Sequence, residues 1–207
     1  MNKGKLTLTI VVLAVAIVMV VKYLGAGYMT SMDPDQNVKV KGNPNAPIKI
    51  IEFIDFECPA CAAGSLFLKK FMEENPDKIY LKLKYFPLDM HKHSLVAATY
   101  AECSSRQGKF WEFHDYILKE QEKWSKLDNA RPVFDFIAGE IGLDKAKLTQ
   151  CVEDPKSLDN VMKNKEEGRL VQLKSTPTYF VNGEMVVGMN SLQDKLKVLT
   201  GVAPQPK

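Results

Sequence analysis

Two cysteines separated by two residues, Cys58 and Cys61, lie where a buried strand is predicted to end and a helix to begin. The preceding run Ile48–Ile54 is rich in Ile and Phe and alternates poorly, which is typical of a strand covered on both faces. Residues 62–74 then carry apolar side chains at helical spacing. Residues 79–86 alternate as a second strand, so the order predicts a strand–helix–strand unit with a right-handed crossover.

The position of the cysteines predicts their chemistry. A thiol at a helix N-terminus faces unpaired N–H groups, which favour the thiolate and lower the pKa. Pro59 stands where a first-turn proline is tolerated. We therefore expect Cys58 to be a solvent-accessible attacking sulfur and Cys61 a buried resolving sulfur that reaches it across the two-residue spacer. Glu57 would oppose the Cys58 thiolate if its carboxylate lay close, and would matter little if it faced water.

Two other interpretations of the C-P-A-C segment are open. It can be half of a zinc site, but a second C-x-x-C does not occur in the sequence, and His91 and His93 form only an H-x-H pair. It can also be a structural bridge without redox function. We predict neither a metal nor a cofactor.

Three segments together resemble the DsbA-like thioredoxin-fold oxidoreductases. They are residues 55–61 (DFECPAC), 107–114 (QGKFWEFH) and 175–179 (STPTY). The resemblance covers about residues 37–199 and implies a thioredoxin-like α/β fold with a central mixed sheet and an inserted helical subdomain. We predict a first part of the thioredoxin-like domain at residues 37–92, the helical subdomain at 93–155, the second part of the domain at 156–200 and a tail at 201–207.

Thr176 and Pro177 precede a predicted strand, where a proline is tolerated only at the first position. A cis Thr176–Pro177 bond would account for the proline, since cis prolines usually have a positional reason. The resemblance implies that this loop lies against the active-site cysteine and pairs with an extended substrate segment. Pro59 and Ala60 are expected to contact substrate as well. The alternative is an ordinary trans turn.

Cys103 and Cys151 lie in two different predicted helices of the inserted subdomain. We expect a structural disulfide between them, and the resemblance supports this choice because some relatives carry an extra pair. A bond that closes about fifty residues stabilises by about 4 kcal/mol in the chain-entropy model. A second redox relay and two free buried thiols are the alternatives.

The remaining pattern predicts mostly helix. Ser94, Asp144, Ser157 and Ser191 are the expected N-caps of helices 95–106, 145–153, 158–173 and 192–199. Residues 109–122 and 132–141 are two further predicted helices. Residues 38–40 are a predicted edge strand, and Asn182–Gly183 predicts a type I′ hairpin. Phe110, Trp111 and Phe113 are expected in the subdomain core, and the three histidines are expected to be structural or exposed.

The N-terminus predicts export. Lys3 and Lys5 precede sixteen uncharged residues, 6–21, so residues 1–26 are expected to be a membrane anchor or signal segment, followed by a linker at 27–36. The amino end is expected in the cytoplasm and the rest on the extracytoplasmic face of a bacterial cytoplasmic membrane. Four cysteines fit an oxidising compartment. The net charge of +3 is too small to indicate nucleic-acid binding.

The predicted function is the introduction of disulfides into exported cysteine-containing proteins. The resemblance implies re-oxidation by a membrane quinone-linked partner. Pro-Ala stands between the cysteines where the strong oxidant of the family has Pro-His, so one donor to the thiolate is missing. A reductase or isomerase kept reduced by a membrane reductant is therefore an alternative. A redox-inert peptide-binding chaperone on the same fold is another.

Overall fold

The computed structural model describes residues 39–201, in which five strands form one sheet in the order β1-β3-β2-β4-β5. The strands are β1 Val40–Gly42, β2 Ile48–Ile54, β3 Ile79–Tyr85, β4 Thr178–Val181 and β5 Glu184–Val187. β2 and β3 are parallel, and the other neighbours are antiparallel. The predicted mixed sheet is confirmed.

The part of the chain that the structure describes contains eight helices. They are α1 Pro59–Glu74, α2 Ser94–Ser105, α3 Phe110–Lys119, α4 Gln121–Trp124, α5 Arg131–Glu140, α6 Lys145–Glu153, α7 Pro155–Leu170 and α8 Met189–Thr200. α1 joins the parallel strands β2 and β3, as a parallel pair requires. Helices α2 to α7 all lie between β3 and β4 in the chain, so the predicted helical insertion into a thioredoxin-like fold is confirmed.

Two hydrophobic clusters join the helices to the sheet. The larger joins the end of β2, β3 and the insertion, and contains Phe56, Tyr85, Phe113 and Trp124 together with both cysteines of the C-P-A-C segment. The smaller joins the sheet to α1 and α8 through residues such as Leu68. A fully buried side chain of this size contributes roughly 1.5–3 kcal/mol of burial free energy. Cys58 and Cys61 therefore belong to the core between the sheet and the insertion.

Several predicted helix boundaries are wrong. Ser94 does not cap α2, because its hydroxyl donates to the Asp55 carboxylate at 2.6 Å. Asp154, not Ser157, caps α7 and accepts from the Lys156 N–H, since Pro155 supplies the first helical residue. α8 begins before Ser191, directly after Gly188 at φ 81°. Asp144 caps α6 as predicted.

Three other segments differ from the prediction in extent. The edge strand runs over Val40–Gly42 instead of 38–40, of which residue 38 lies outside the described residues. The predicted helix 109–122 is divided into α3 and α4, with Glu120 between them. The hairpin is confirmed: Asn182 and Gly183 have φ of 51° and 86°, as a type I′ turn requires.

Helix α1 lies very close to β4 at Gly64. A Cβ atom at Gly64 would be 2.3 Å from the hydroxyl oxygen of the buried Tyr179. A Gly64→Ala variant is therefore expected to lose about 1–3 kcal/mol of unfolding free energy through overpacking. Gly139 in α5 is the matched control, because nothing lies within 4 Å of its added Cβ. Gly139→Ala should gain up to about 1 kcal/mol from helix propensity.

Urea unfolding of the two variants measures this difference. Since both changes bring the same helix propensity, the gap between them isolates the clash with Tyr179. Equal gains in the two variants would contradict the close approach.

Between residues 39 and 201, no helix is both long and apolar enough to cross a membrane. The predicted anchor or signal segment at 1–26 and the linker at 27–36 lie outside the described residues, as does most of the predicted tail.

Candidate active site

The strand-to-helix junction places Cys58 immediately before α1. Cys58 is the N-cap residue, with extended φ and ψ of −76° and 119°, and Pro59 is the first helical residue. The Cys58 carbonyl accepts the first helical hydrogen bonds, from the N–H groups of Cys61 at 3.0 Å and Ala62 at 3.3 Å. The sequence therefore predicted this junction correctly, because the proline cannot donate and fits only here.

The two sulfurs differ in exposure, but less than expected. Cys61 is completely buried, whereas 8% of Cys58 is exposed. The expectation of a solvent-accessible Cys58 is thus wrong in degree, because Cys58 belongs to the buried cluster that also contains Phe56 and residues of the insertion. Of the two thiols, only Cys58 offers any surface to a reaction partner.

The two thiols also differ in acidity. A hydrogen bond from Cys61 is the largest cause that lowers the pKa of Cys58 to about 5, against the opposing effect of burial. The backbone N–H groups of Cys61 and Ala60 add to this effect. Burial raises the pKa of Cys61 well above its usual value. At neutral pH, Cys58 is therefore a thiolate and Cys61 a thiol.

The loop before β4 lies against the nucleophile. The Thr176–Pro177 peptide bond is cis, as the sequence predicted. The Cys58 sulfur is 3.3 Å from the Thr176 carbonyl oxygen, and the Thr176 hydroxyl is buried without a hydrogen-bond partner among residues 39–201. Pro59 and Ala60 are exposed at the start of α1. Beside Pro59, a groove of about 850 Å³ runs between α1 and helices α3 and α4.

A fully buried carboxylate, Asp55, fastens the junction to the next loop. Its side chain accepts four hydrogen bonds, from the backbone N–H groups of Glu57 and Leu88, the His91 ring and the Ser94 hydroxyl. Its own N–H points at the Cys61 sulfur, 3.5 Å away. Sequence analysis assigned no role to Asp55, although its place in the DFECPAC segment was a signal.

Glu57 adopts neither of the two arrangements considered from the sequence. Its carboxylate accepts a hydrogen bond of 2.6 Å from the His93 N–H at the start of α2. His93 in turn contacts the Leu127 carbonyl oxygen through its ring at 2.7 Å. His93 and His114 are buried, and His91 is half-buried, so the histidines are structural as expected. In the described range 39–201, no cluster of His, Cys, Asp or Glu could hold a metal ion.

Glu52 on β2 is a second buried acid that sequence analysis did not single out. It lies directly opposite Tyr179 on β4, and one of its carboxyl oxygens has no hydrogen-bond partner in the described chain. Burial raises the pKa of Glu52 to about 8, although Tyr179 partly offsets this. Burial is the largest cause that raises the pKa of Tyr179, and the neighbouring acidic groups of Glu52 and Cys61 add to it. Glu52 is therefore a neutral acid at pH 7.

This raised pKa predicts a pH dependence of stability. Between pH 4.5 and about 8 the folded protein keeps a proton that the unfolded chain loses, so the contribution of Glu52 falls as pH rises. The slope is at most about 1.4 kcal/mol per pH unit. A Glu52→Gln variant is expected to lack this loss, and urea unfolding at pH 4.5, 6 and 8 measures it.

The Cys58 thiolate acts in the opposite direction, since its lowered pKa adds stability as pH rises above about 5. The quantity to compare is therefore the difference between wild type and Glu52→Gln. The exposed Glu140 provides the control variant Glu140→Gln. If the difference in unfolding free energy between wild type and Glu52→Gln did not change with pH, the raised pKa of Glu52 would be contradicted.

The other two cysteines lie in the insertion, away from the C-P-A-C segment in sequence. The structure joins Cys103 of α2 to Cys151 of α6 by a disulfide, with a Cα–Cα distance of 5.7 Å. Cys58 and Cys61 are both free thiols. Cys103 is completely buried in the larger cluster, and Cys151 packs against it.

Comparison with known proteins identifies the family. The thioredoxin family is matched over residues 35–199, most of the chain. The chain therefore belongs to the thioredoxin family.

The curated relatives are mostly longer proteins. The sequence is 30% identical over 156 residues to "Na(+)/H(+) antiporter NhaA 3" of Salinispora tropica, covering 75% of this chain and 23% of the relative. It is 29% identical to a "Putative protein-disulfide oxidoreductase" of Rickettsia bellii, covering 72% of this chain and 58% of the relative. The chain thus spans about a quarter of the length of the antiporters it matches.

Solved structures have the same fold. A thioredoxin-like oxidoreductase from Silicibacter pomeroyi has a TM-score of 0.66 at 24% identity, covering 83% of this chain and 95% of its own. BdbD from Bacillus subtilis has a TM-score of 0.67 at 19% identity, covering 80% and 92%. Wolbachia pipientis α-DsbA1 has a TM-score of 0.65 at 24% identity, covering 79% and 90%.

Proposed function

We propose that this protein introduces disulfides into exported cysteine-containing proteins by exchange at Cys58 and Cys61. The observation that carries the proposal is the difference between the two sulfurs. Cys58 is partly exposed and ionised at neutral pH, whereas Cys61 is buried and protonated. In such a pair, a substrate thiol can reach only the exposed sulfur, and the buried sulfur can react only with the exposed one.

The reaction proceeds in two exchanges. A substrate thiolate attacks the Cys58 sulfur of the oxidised pair, so the Cys58–Cys61 bond breaks and Cys61 leaves with the electron pair and takes a proton. A second substrate thiolate then attacks the substrate sulfur of the mixed disulfide and releases Cys58 as a thiolate. The substrate loses two electrons and the pair gains them. A quinone-linked membrane partner is proposed to restore the Cys58–Cys61 disulfide.

The low pKa of Cys58 favours this direction. A stabilised thiolate makes the reduced pair more stable, and therefore makes its disulfide a stronger oxidant. A stabilised thiolate is also the better leaving group in the second exchange. The Pro-Ala spacer lacks a histidine donor, but the Cys61 thiol donates to the Cys58 sulfur in this chain. The absence of the histidine keeps a reductase as the second candidate.

The substrate is proposed to bind as an extended segment against Thr176 and Pro177. The Thr176 carbonyl already lies beside the Cys58 sulfur, so a substrate cysteine at Cys58 would place its neighbours along this loop. The exposed Pro59 and Ala60 border the same position. Residues 1–26 are proposed to direct the protein to the extracytoplasmic face of the membrane and to hold it there.

The reduction potential of the Cys58–Cys61 pair tests the proposal. The full chain is equilibrated against glutathione buffers, alongside a variant with Cys103 and Cys151 replaced by alanine so that their bond cannot contribute. A value near about −120 mV would support disulfide donation, and one near about −270 mV would favour the reductase. A pair that does not titrate would overturn both.

A further inference from the structure

A glutamine of the helical insertion holds the backbone of the active-site junction. Gln121, the first residue of α4, is buried, and its side-chain N–H₂ group donates to two carbonyl oxygens. These are the carbonyls of Phe56 at 2.7 Å and Cys58 at 2.9 Å, on either side of Glu57. One amide group from the insertion thus satisfies two acceptors of the loop that carries the nucleophile.

The orientation of the Cys58 carbonyl affects several hydrogen bonds of the junction. It also accepts the N–H groups of Cys61 and Ala62, which begin α1. The hydrogen bonds to the Cys58 sulfur come from the Cys61 thiol and from the backbone N–H groups of Ala60 and Cys61, all of which depend on the orientation of this first turn. A small rotation at Cys58 would therefore weaken several of these bonds together, because hydrogen bonds weaken steeply with angle.

Gln121 is itself firmly placed. Trp124, three residues further along α4, is completely buried and donates to the Ile117 carbonyl at 2.7 Å. Its ring also packs edge-on against Phe134 of α5, with ring centroids 5.0 Å apart. The amide of Gln121 is therefore anchored in the core of the insertion, and a side chain held in this way can fix the loop it contacts.

We infer that Gln121 is a positioning residue for the exchange reaction. Its side chain couples the helical insertion to the geometry of Cys58. The inference rests on the proposed function, since it concerns the same sulfur. Gln121 does not touch the reacting atoms; it acts through the backbone of Phe56 and Cys58. The insertion thereby contributes to the reduction potential of the Cys58–Cys61 pair, which lies at the end of the sheet.

The test compares Gln121→Met with the matched control Gln107→Met. Gln107 also makes two side-chain hydrogen bonds to backbone, with the N–H and carbonyl of Asp144, but on the surface of the insertion. Each variant loses two hydrogen bonds between a glutamine side chain and the backbone, both donated by Gln121 but one donated and one accepted by Gln107. The measurements are the Cys58 thiolate pKa, from ultraviolet absorbance against pH, and the reduction potential of the pair.

Gln121→Met is expected to raise the thiolate pKa by about one unit. The reduced pair would lose about tenfold in relative stability, which moves the potential about 30 mV more negative. Gln107→Met should change neither value. If Gln121→Met also leaves both values at the wild-type level, Gln121 only satisfies buried carbonyls and the inference is wrong.

Gln121→Asn keeps the inference testable if the methionine variant does not fold. It retains the amide on a shorter side chain, which cannot reach both carbonyls, so a smaller shift in the same direction is expected. Wild-type values for this variant would again overturn the inference. A wild-type pair that does not titrate would instead remove the proposed function, so the two failures are distinguishable.

Discussion

A Cys58→Ser variant is expected to lose thiol–disulfide exchange completely. A serine hydroxyl does not ionise near neutral pH and forms no disulfide, whereas Cys58 is a thiolate at that pH. The assay measures oxidation of a peptide that carries two cysteines. The decrease in its free thiols is the readout. Activity of Cys58→Ser at the wild-type level would end the proposed mechanism.

A Cys61→Ala variant distinguishes the roles of the two sulfurs. It keeps the Cys58 thiolate, which can attack a disulfide-bonded peptide and release one of the two peptide sulfurs as a thiolate. Without Cys61 to displace the other peptide sulfur, the mixed disulfide at Cys58 is expected to accumulate. The pKa of Cys58 should rise, because the hydrogen bond from Cys61 is the largest cause that lowers it. A variant that turns over peptide disulfides without such a complex would contradict the assignment of Cys61.

Replacement of both Cys103 and Cys151 by alanine is expected to lose about 4 kcal/mol of unfolding free energy. The bond joins residues 48 apart, and closing a loop of this length restricts the unfolded chain by about that amount in the entropy model. Urea unfolding measures the loss.

The same variant tests whether this disulfide takes part in exchange. A structural bond predicts that the reduction potential of Cys58 and Cys61 is unchanged in the alanine variant at temperatures where it remains folded. Loss of peptide oxidation by a folded variant would instead support a relay between the two pairs. A stability equal to wild type would contradict a structural role.

Local sequence patterns were sufficient for the elements that meet at the site. The apolar run of β2, the proline at the start of α1 and the Asn182–Gly183 turn each allow few backbone conformations, so strand, helix start and hairpin were predicted correctly. The helical spacing of Phe110 and Phe113 likewise placed both side chains in the core. These predictions depend on neighbours in sequence, which is why they required no tertiary information.

The residues that surround the cysteines could not be predicted in the same way. Gln121 reaches the Cys58 carbonyl across 63 residues of chain, and Ser94 donates to Asp55 across 39. Ser94 is an instructive error: its type and position suit an N-cap, but a buried carboxylate is the stronger acceptor for its hydroxyl. In the sequence, Glu52 is a single acid within an apolar strand. Its pKa is raised because the folded chain buries it completely.

The contact between the Cys58 sulfur and the Thr176 carbonyl joins residues 118 apart in the chain. At a synthesis rate of about 5–20 residues per second, the nucleophile emerges roughly 6–24 s before the loop that completes its surroundings. During that interval the growing chain carries the cysteine pair without the Thr176 loop. A chain that ends before residue 176 is therefore expected to lack the contact between Thr176 and the Cys58 sulfur, and with it the proposed substrate-binding loop.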